Sequence, residues 1–220
     1  MDEDYVKNLE HVIKQMLTPL KNIPLKLVIE TLSGSTILPF DSKNEYDRVV
    51  LDKLTEVAHL AGTRINATGI KRNRPNEVGN DIEPFVKTAL KELGYQSDTP
   101  LTKSGKKKST GYPDIEFIDE FGRNHYLECK TFNIENIDTT QRSFYLSPSE
   151  DFKITKTAHH FCMCYEIFVD GRMGNQTLYK CKKWKILSVE QLLVDVKYEF
   201  NSDNARLYST ELLLSEGPLT

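Results

Sequence analysis

Apolar residues recur along this chain with two different periods, and the change from one to the other divides it. From Asp4 to Leu17 they fall at Tyr5, Leu9, Val12, Ile13, Met16 and Leu17, the stripe of an amphipathic helix that Pro19 and Pro24 break. A short apolar segment from Leu25 to Leu32 fits helix or strand and stops at Ser33-Gly34-Ser35. Asp41-Ser42 then caps a second helix, with Tyr46, Val49, Val50, Leu54, Val57, Ala58 and Leu60 inward and Gly62 after its end. A third stripe, Ile82, Phe85, Val86, Ala89, Leu90 and Leu93, predicts a helix between Asn76 and Gly94. Pro84 is expected near its first turn, where a missing N–H costs nothing.

Beyond Gly94 the period shortens to two. Asp114-Ile115-Glu116-Phe117 alternates, Asp119-Glu120-Phe121-Gly122 signals a hairpin turn, and His125 to Phe132 returns as a second strand. Thr131 to Gln141 reads as a polar loop, Ser143 to Leu146 as a third strand, and Phe152 to His159 as a helical or irregular link. His160 to Val169 has the composition of a buried strand, turned by Asp170-Gly171-Arg172, with Thr177 to Leu187 returning. Ser188, three residues before Gln191, opens a last helix with a capping-box pattern, ending at about Phe200. The expected fold class is α/β: a mixed central β-sheet flanked by helices, with a helical segment added at the N-terminus.

Strand alternation also sorts the chemistry. Successive side chains point to opposite faces, so Glu128 and Lys130 share one face while Leu127 and Cys129 take the core side. With Asp114 brought to the same edge by the hairpin, two carboxylates suit a hard divalent cation, with an ammonium beside them. A Pro-Asp dipeptide alone usually marks a turn, and Glu-x-Lys alone is usually a solvated strand face. In this order and spacing, Pro113-Asp114 and Glu128-Cys129-Lys130 resemble the PD-(D/E)xK nuclease superfamily.

That resemblance implies a restriction-endonuclease-like core over residues 76–220, with residues 1–75 forming a helical segment and basic loop packed on it. It also implies an Mg²⁺-dependent endonuclease acting on double-stranded DNA, similar to the type II restriction enzymes. Asp114 and Glu128 would bind metal, Lys130 would position or activate the water, and Glu83, on the helix before the Pro-Asp strand, would assist. The other reading of Glu83 is an acidic first-turn residue favoured by the helix dipole. Cutting two strands implies a homodimer with two active sites. Repair nucleases, Holliday-junction resolvases and inactive DNA-binding modules share this core and remain alternatives.

Charge adds a location for the DNA. The formal net charge is −3, yet residues 64–108 carry 10 basic and 5 acidic side chains. Arg64, Lys71, Arg72, Asn73 and Arg74 are candidates for backbone or groove contact, and Lys106, Lys107 and Lys108 either join them or form a solvated loop. Trp184 and the lysines around it fit DNA contact or an edge strand equally. No apolar run is long enough for a membrane span, and the acidic start is not a secretory signal, so a cytoplasmic location is expected. The cysteines at 129, 162, 164 and 181 fit reduced core thiols. Cys162-Met163-Cys164 lacks the spacing and histidines of a zinc site, and His159-His160 lacks a partnered nucleophile.

Overall fold

A computed structural model describes residues 2–216 apart from 19, 140, 141 and 200, and the backbone alone at 76 and 136. The chain forms two units, one from Met1–Ile23 with Val194–Thr220 and one from Pro24–Leu193. The terminal unit holds helix α1 (Glu3–Gln15), whose N-cap Asp2 accepts the Asp4 amide, and the short helix α5 (Asn204–Leu207). The stripe expected on α1 is present, but Tyr5, Leu9, Val12 and Ile13 are all exposed. Two-residue strands β1 (Ile23–Pro24) and β8 (Leu193–Val194) mark where the chain leaves and rejoins this unit.

The larger unit carries helices α2 (Leu25–Ser33), α3 (Glu45–Thr68) and α4 (Gly79–Glu92). Its strands are β2 (Ile70–Arg72), β3 (Gln96–Asp98), β4 (Ile115–Ile118), β5 (Asn124–Phe132), β6 (His159–Met173) and β7 (Gln176–Ser188). They form one mixed sheet in the order β2-β7-β6-β5-β4-β3, antiparallel except for the parallel pair β5–β6. The fold class is the α/β arrangement expected. The helices bury Val50, Leu54, Val57, Ala61 and Ile65 of α3 and Ile82, Val86, Ala89 and Leu90 of α4 against Ile115, Phe117, Leu127, Cys129, Met163 and Tyr165 of the sheet.

Several elements run differently from their local signals. Helix α3 starts at Asn44, whose side chain accepts the Tyr46 and Asp47 amides, and continues past Gly62 to Thr68. Gly62 is there for space: a Cβ on it would lie 3.2 Å from the Tyr165 ring, and the Tyr165 hydroxyl donates to the Ala58 carbonyl at 2.9 Å. The ambiguous segment after Pro24 is helical and ends at Gly34, whose φ of 73° is left-handed. Helix α4 begins at Gly79, so Pro84 is inside it and Glu83 is in the second turn rather than the first. The hairpin between β6 and β7 turns at 174–175, because the strands extend beyond Asp170-Gly171-Arg172.

Two expected elements do not form. Residues 143–146 are not a strand, and the helix after Ser188 is replaced by a turn and β8; its expected end at residue 200 is outside the described residues. There the backbone finds partners elsewhere: the Val189 amide donates to the His160 carbonyl, and the Leu25 amide to the Leu192 carbonyl. All four cysteines are free and buried, as expected. No helix among the described residues is long and apolar enough to cross a membrane.

Candidate active site

The hairpin of β4 and β5 sets the site. Its register pairs Ile115 with Leu127 and Glu116 with Tyr126, so Asp114, just before β4, comes to the level of Glu128 and Cys129. The Cys129 amide donates to Asp114 Oδ2 at 2.8 Å, fixing that carboxylate against the strand that carries Glu128 and Lys130. Lys130 Nζ lies 2.5 Å from Glu128 Oε1. The three groups named from the sequence are therefore brought together, and Leu127 and Cys129 face the core.

Their electrostatics are those of carboxylates short of compensation. Burial, joined by the charge of Asp114, pushes Glu128 up to about 7. Burial likewise raises Asp114, with the Glu83 charge adding to the rise, against the Cys129 amide and the ammonium of Lys130. For Lys130, burial opposes the charged form, but the carboxylates of Glu128 and Asp114 outweigh it and lift the ammonium above its usual value. Glu128 is 4% exposed, and its Oε2 is buried without a hydrogen-bond partner. An orphaned, buried carboxylate oxygen beside a second carboxylate is a donor set that fits a hard cation, which takes few protein ligands and completes its shell with water and phosphate. Among the described residues no group of three or more His, Cys, Asp or Glu gathers to hold a metal.

Glu83 is ion-paired with Lys87 one turn on, and Lys87 Nζ also donates to Thr99 Oγ1 at 2.6 Å. Its charge adds to the rise of Asp114. Glu116, two residues after Asp114, is paired with Lys156 instead.

Sequence reasoning missed Lys153. This residue is 4% exposed, in the irregular stretch before β6, and its Nζ donates to the carbonyls of Gly111 at 2.6 Å and Pro113 at 2.9 Å. It thereby anchors the segment that delivers Asp114, and Asp114, Glu128 and Glu83 all act on its charge. Its only local sign is a lysine between apolar Phe152 and Ile154. The histidines are structural: the Tyr112 hydroxyl shares a 2.7 Å hydrogen bond with His160 Nδ1, and burial holds His160 at about 3. Cys162 and Cys164, with sulfurs 3.3 Å apart, stand beside Glu128 and Lys130 in the sheet.

The basic candidates are dispersed and largely neutralised. Arg64 forms a two-point pair with Glu92 at 2.8 and 2.5 Å, and Arg72 one with Asp81 at 2.6 Å for both bonds. Lys107 pairs with Asp98 at 2.5 Å and Lys108 with Asp151 at 3.1 Å. Arg74 starts a 3-10 turn, where its amide donates to Glu77. Lys71 and Asn73 are exposed, as is Lys106, whose amide donates to Thr102 Oγ1 at 3.2 Å.

A mixed sheet that sets a Pro-Asp carboxylate against a Glu-x-Lys pair on the adjoining strand defines a restriction-type nuclease. Residues 19–211 match the family of type II restriction enzyme MjaV. The chain is also 37% identical, over 233 aligned positions covering 99% of each protein, to the type II restriction enzyme MjaV of Methanocaldococcus jannaschii. It belongs to that family, and so to the site-specific deoxyribonucleases. No solved structure matches the chain.

Proposed function

We propose that this endonuclease hydrolyses phosphodiester bonds of double-stranded DNA with Mg²⁺ held by Asp114 and Glu128, Lys130 serving at the attacking water. The observation that carries the reading is the buried, unpartnered Oε2 of Glu128 beside a second raised carboxylate. When bound, the cation supplies Lewis acidity toward the attacking water and the scissile phosphate. The chain's own groups do the positioning. Asp114 is held in register by the Cys129 amide, and Lys153 fixes the backbone on its other side. Lys130 keeps its proton, orients the water through Nζ and offsets negative charge on the phosphate. Glu83, paired here with Lys87, would assist the metal from α4.

Cutting both strands requires two such sites, and a homodimer supplies them most simply. The four free cysteines suit a cytoplasmic location. The test is cleavage of plasmid DNA with and without Mg²⁺ by the wild type, Asp114→Ala and Lys130→Ala. Metal-dependent cutting that disappears in both variants supports the assignment. Unchanged cutting in either variant, or none by the wild type, defeats it.

A further inference from the structure

Strand β7 carries a basic stripe that the ion pairing elsewhere does not cancel. Lys180 is tied to Asp170 at 2.8 Å, and Lys182, at the bulge opposite Glu166 and Ile167, reaches Glu166 at 3.7 Å. Lys183 and Lys185 are exposed, and among the described residues neither forms an ion pair, although Glu166 is opposite Lys183 in the register. Like charges two apart on one strand face repel, so the fold alone does not favour placing both there.

The register says where they point. Lys130 pairs with Cys164 and Cys164 with Lys185, so Lys130, Cys164 and Lys185 form one row across three strands. Phe132, Glu166 and Lys183 form the next row, and Glu128, Cys162 and Leu187 the one before. Directly paired residues project to the same face. Lys183 and Lys185 therefore emerge on the face of Glu128 and Lys130, while Met163 and Tyr165 turn to the opposite, helix-covered face. Lys185 Nζ is held 4.9 Å from the centroid of the Phe132 ring, two residues after Lys130 on the same strand.

We propose that Lys185 and Lys183 form a phosphate-binding stripe that grips the DNA backbone next to the phosphate being cut. Two strand spacings, about 10 Å, separate the Cα atoms of Lys130 and Lys185, a span that two lysine side chains close onto neighbouring phosphates of one strand. The stripe reads no bases; it fixes the register of the backbone over the carboxylates. This rests on Asp114, Glu128 and Lys130 being the cutting site.

The test measures binding of a mixed-sequence DNA duplex, without divalent ions, across a range of salt concentrations. It compares wild type, the Lys183→Gln/Lys185→Gln double variant, the corresponding double arginine variant, and Lys26→Gln on α2, an exposed lysine outside the stripe, as a control. Two lost phosphate contacts lower the slope of log affinity against log salt by about 2 and weaken binding roughly tenfold, whereas the arginine variant keeps both. Lys26→Gln matches wild type. An unchanged slope in the glutamine variant, with or without loss of affinity, overturns the proposal, because a folding defect lowers affinity without removing counterion release. Plasmid cleavage by wild type with Mg²⁺ reports separately on the cutting site: its absence defeats that assignment and leaves the salt result to judge the stripe.

Discussion

Two clusters of buried ionisable groups are built to opposite specifications. At the first, Arg123 bridges Asp47 at 2.7 Å and Asp119 at 2.8 Å, and His125 Nε2 meets the same Asp119 oxygen at 3.0 Å. The Asp41 amide adds a hydrogen bond to Asp47, and the Phe121 and Arg123 amides add two to Asp119. Burial works against both carboxylates, yet these partners more than offset it and both fall below the usual aspartate value. At the second place, Asp114 and Glu128 face each other with too few donors, and both rise. The first cluster ties α3 to the β4–β5 hairpin. The second leaves carboxylate oxygens uncommitted, which costs stability and makes ligands available.

Breaking the comparison at the second cluster has the largest expected effect: Asp114→Ala, Glu128→Ala or Lys130→Ala reduces plasmid cleavage by roughly 10³-fold or more, read from initial rates in Mg²⁺. Next comes Arg123→Ala, which strands two buried aspartates and lowers unfolding free energy by about 3–4 kcal/mol in denaturant titrations at pH 7, leaving Asp114, Glu128 and Lys130 in place.

The pH dependence of stability sharpens the contrast. Burial holds His125 at about 4, below its unfolded value of 6.5, so its neutral form is the native one. Its contribution is complete above 6.5 and is lost as pH falls toward 4, up to about 3 kcal/mol. Glu128 has the reverse sign: raised from 4.5 to about 7, it stabilises below 4.5 and that contribution is lost as pH rises through 7. Acid titration of stability in Glu128→Gln is therefore expected to be steeper between pH 7 and 4.5 than in wild type, since the opposing group is gone. The smallest effect follows: at pH 8 Glu128→Gln unfolds about 2 kcal/mol later than wild type while failing to cut DNA. Equal stability of the two proteins at pH 8 would show that the carboxylate is not strained by its surroundings.

What was legible in the sequence depended on distance along the chain. Asp114, Glu128 and Lys130 are joined by one hairpin, and strand period and turn residues specify such geometry locally. Lys153 lies 39 positions beyond Asp114 in a stretch with no period, and only the parallel packing of β6 on β5 returns it to the Gly111–Pro113 carbonyls. The Asp47–Arg123 pair spans 76 positions and was equally invisible. Gly62 misled because a glycine after an apolar stripe normally ends a helix, whereas here it makes room for Tyr165. The basic run at 71–74 was visible as charge, but the Asp81 partner of Arg72 was not. Lys183 and Lys185 were visible only as lysines near a tryptophan until the register aligned Lys185 with Lys130.

The sheet ends on both sides in strands of three residues, β2 and β3. Lys71 and Arg72 are exposed on one, Arg72 paired with Asp81, and Asp98 from the other is salt-bridged to Lys107. Rims so short and so charged offer another polypeptide little backbone to zip onto. Joining this sheet edge to edge with that of a second copy is therefore disfavoured, and any contact between copies falls to side chains.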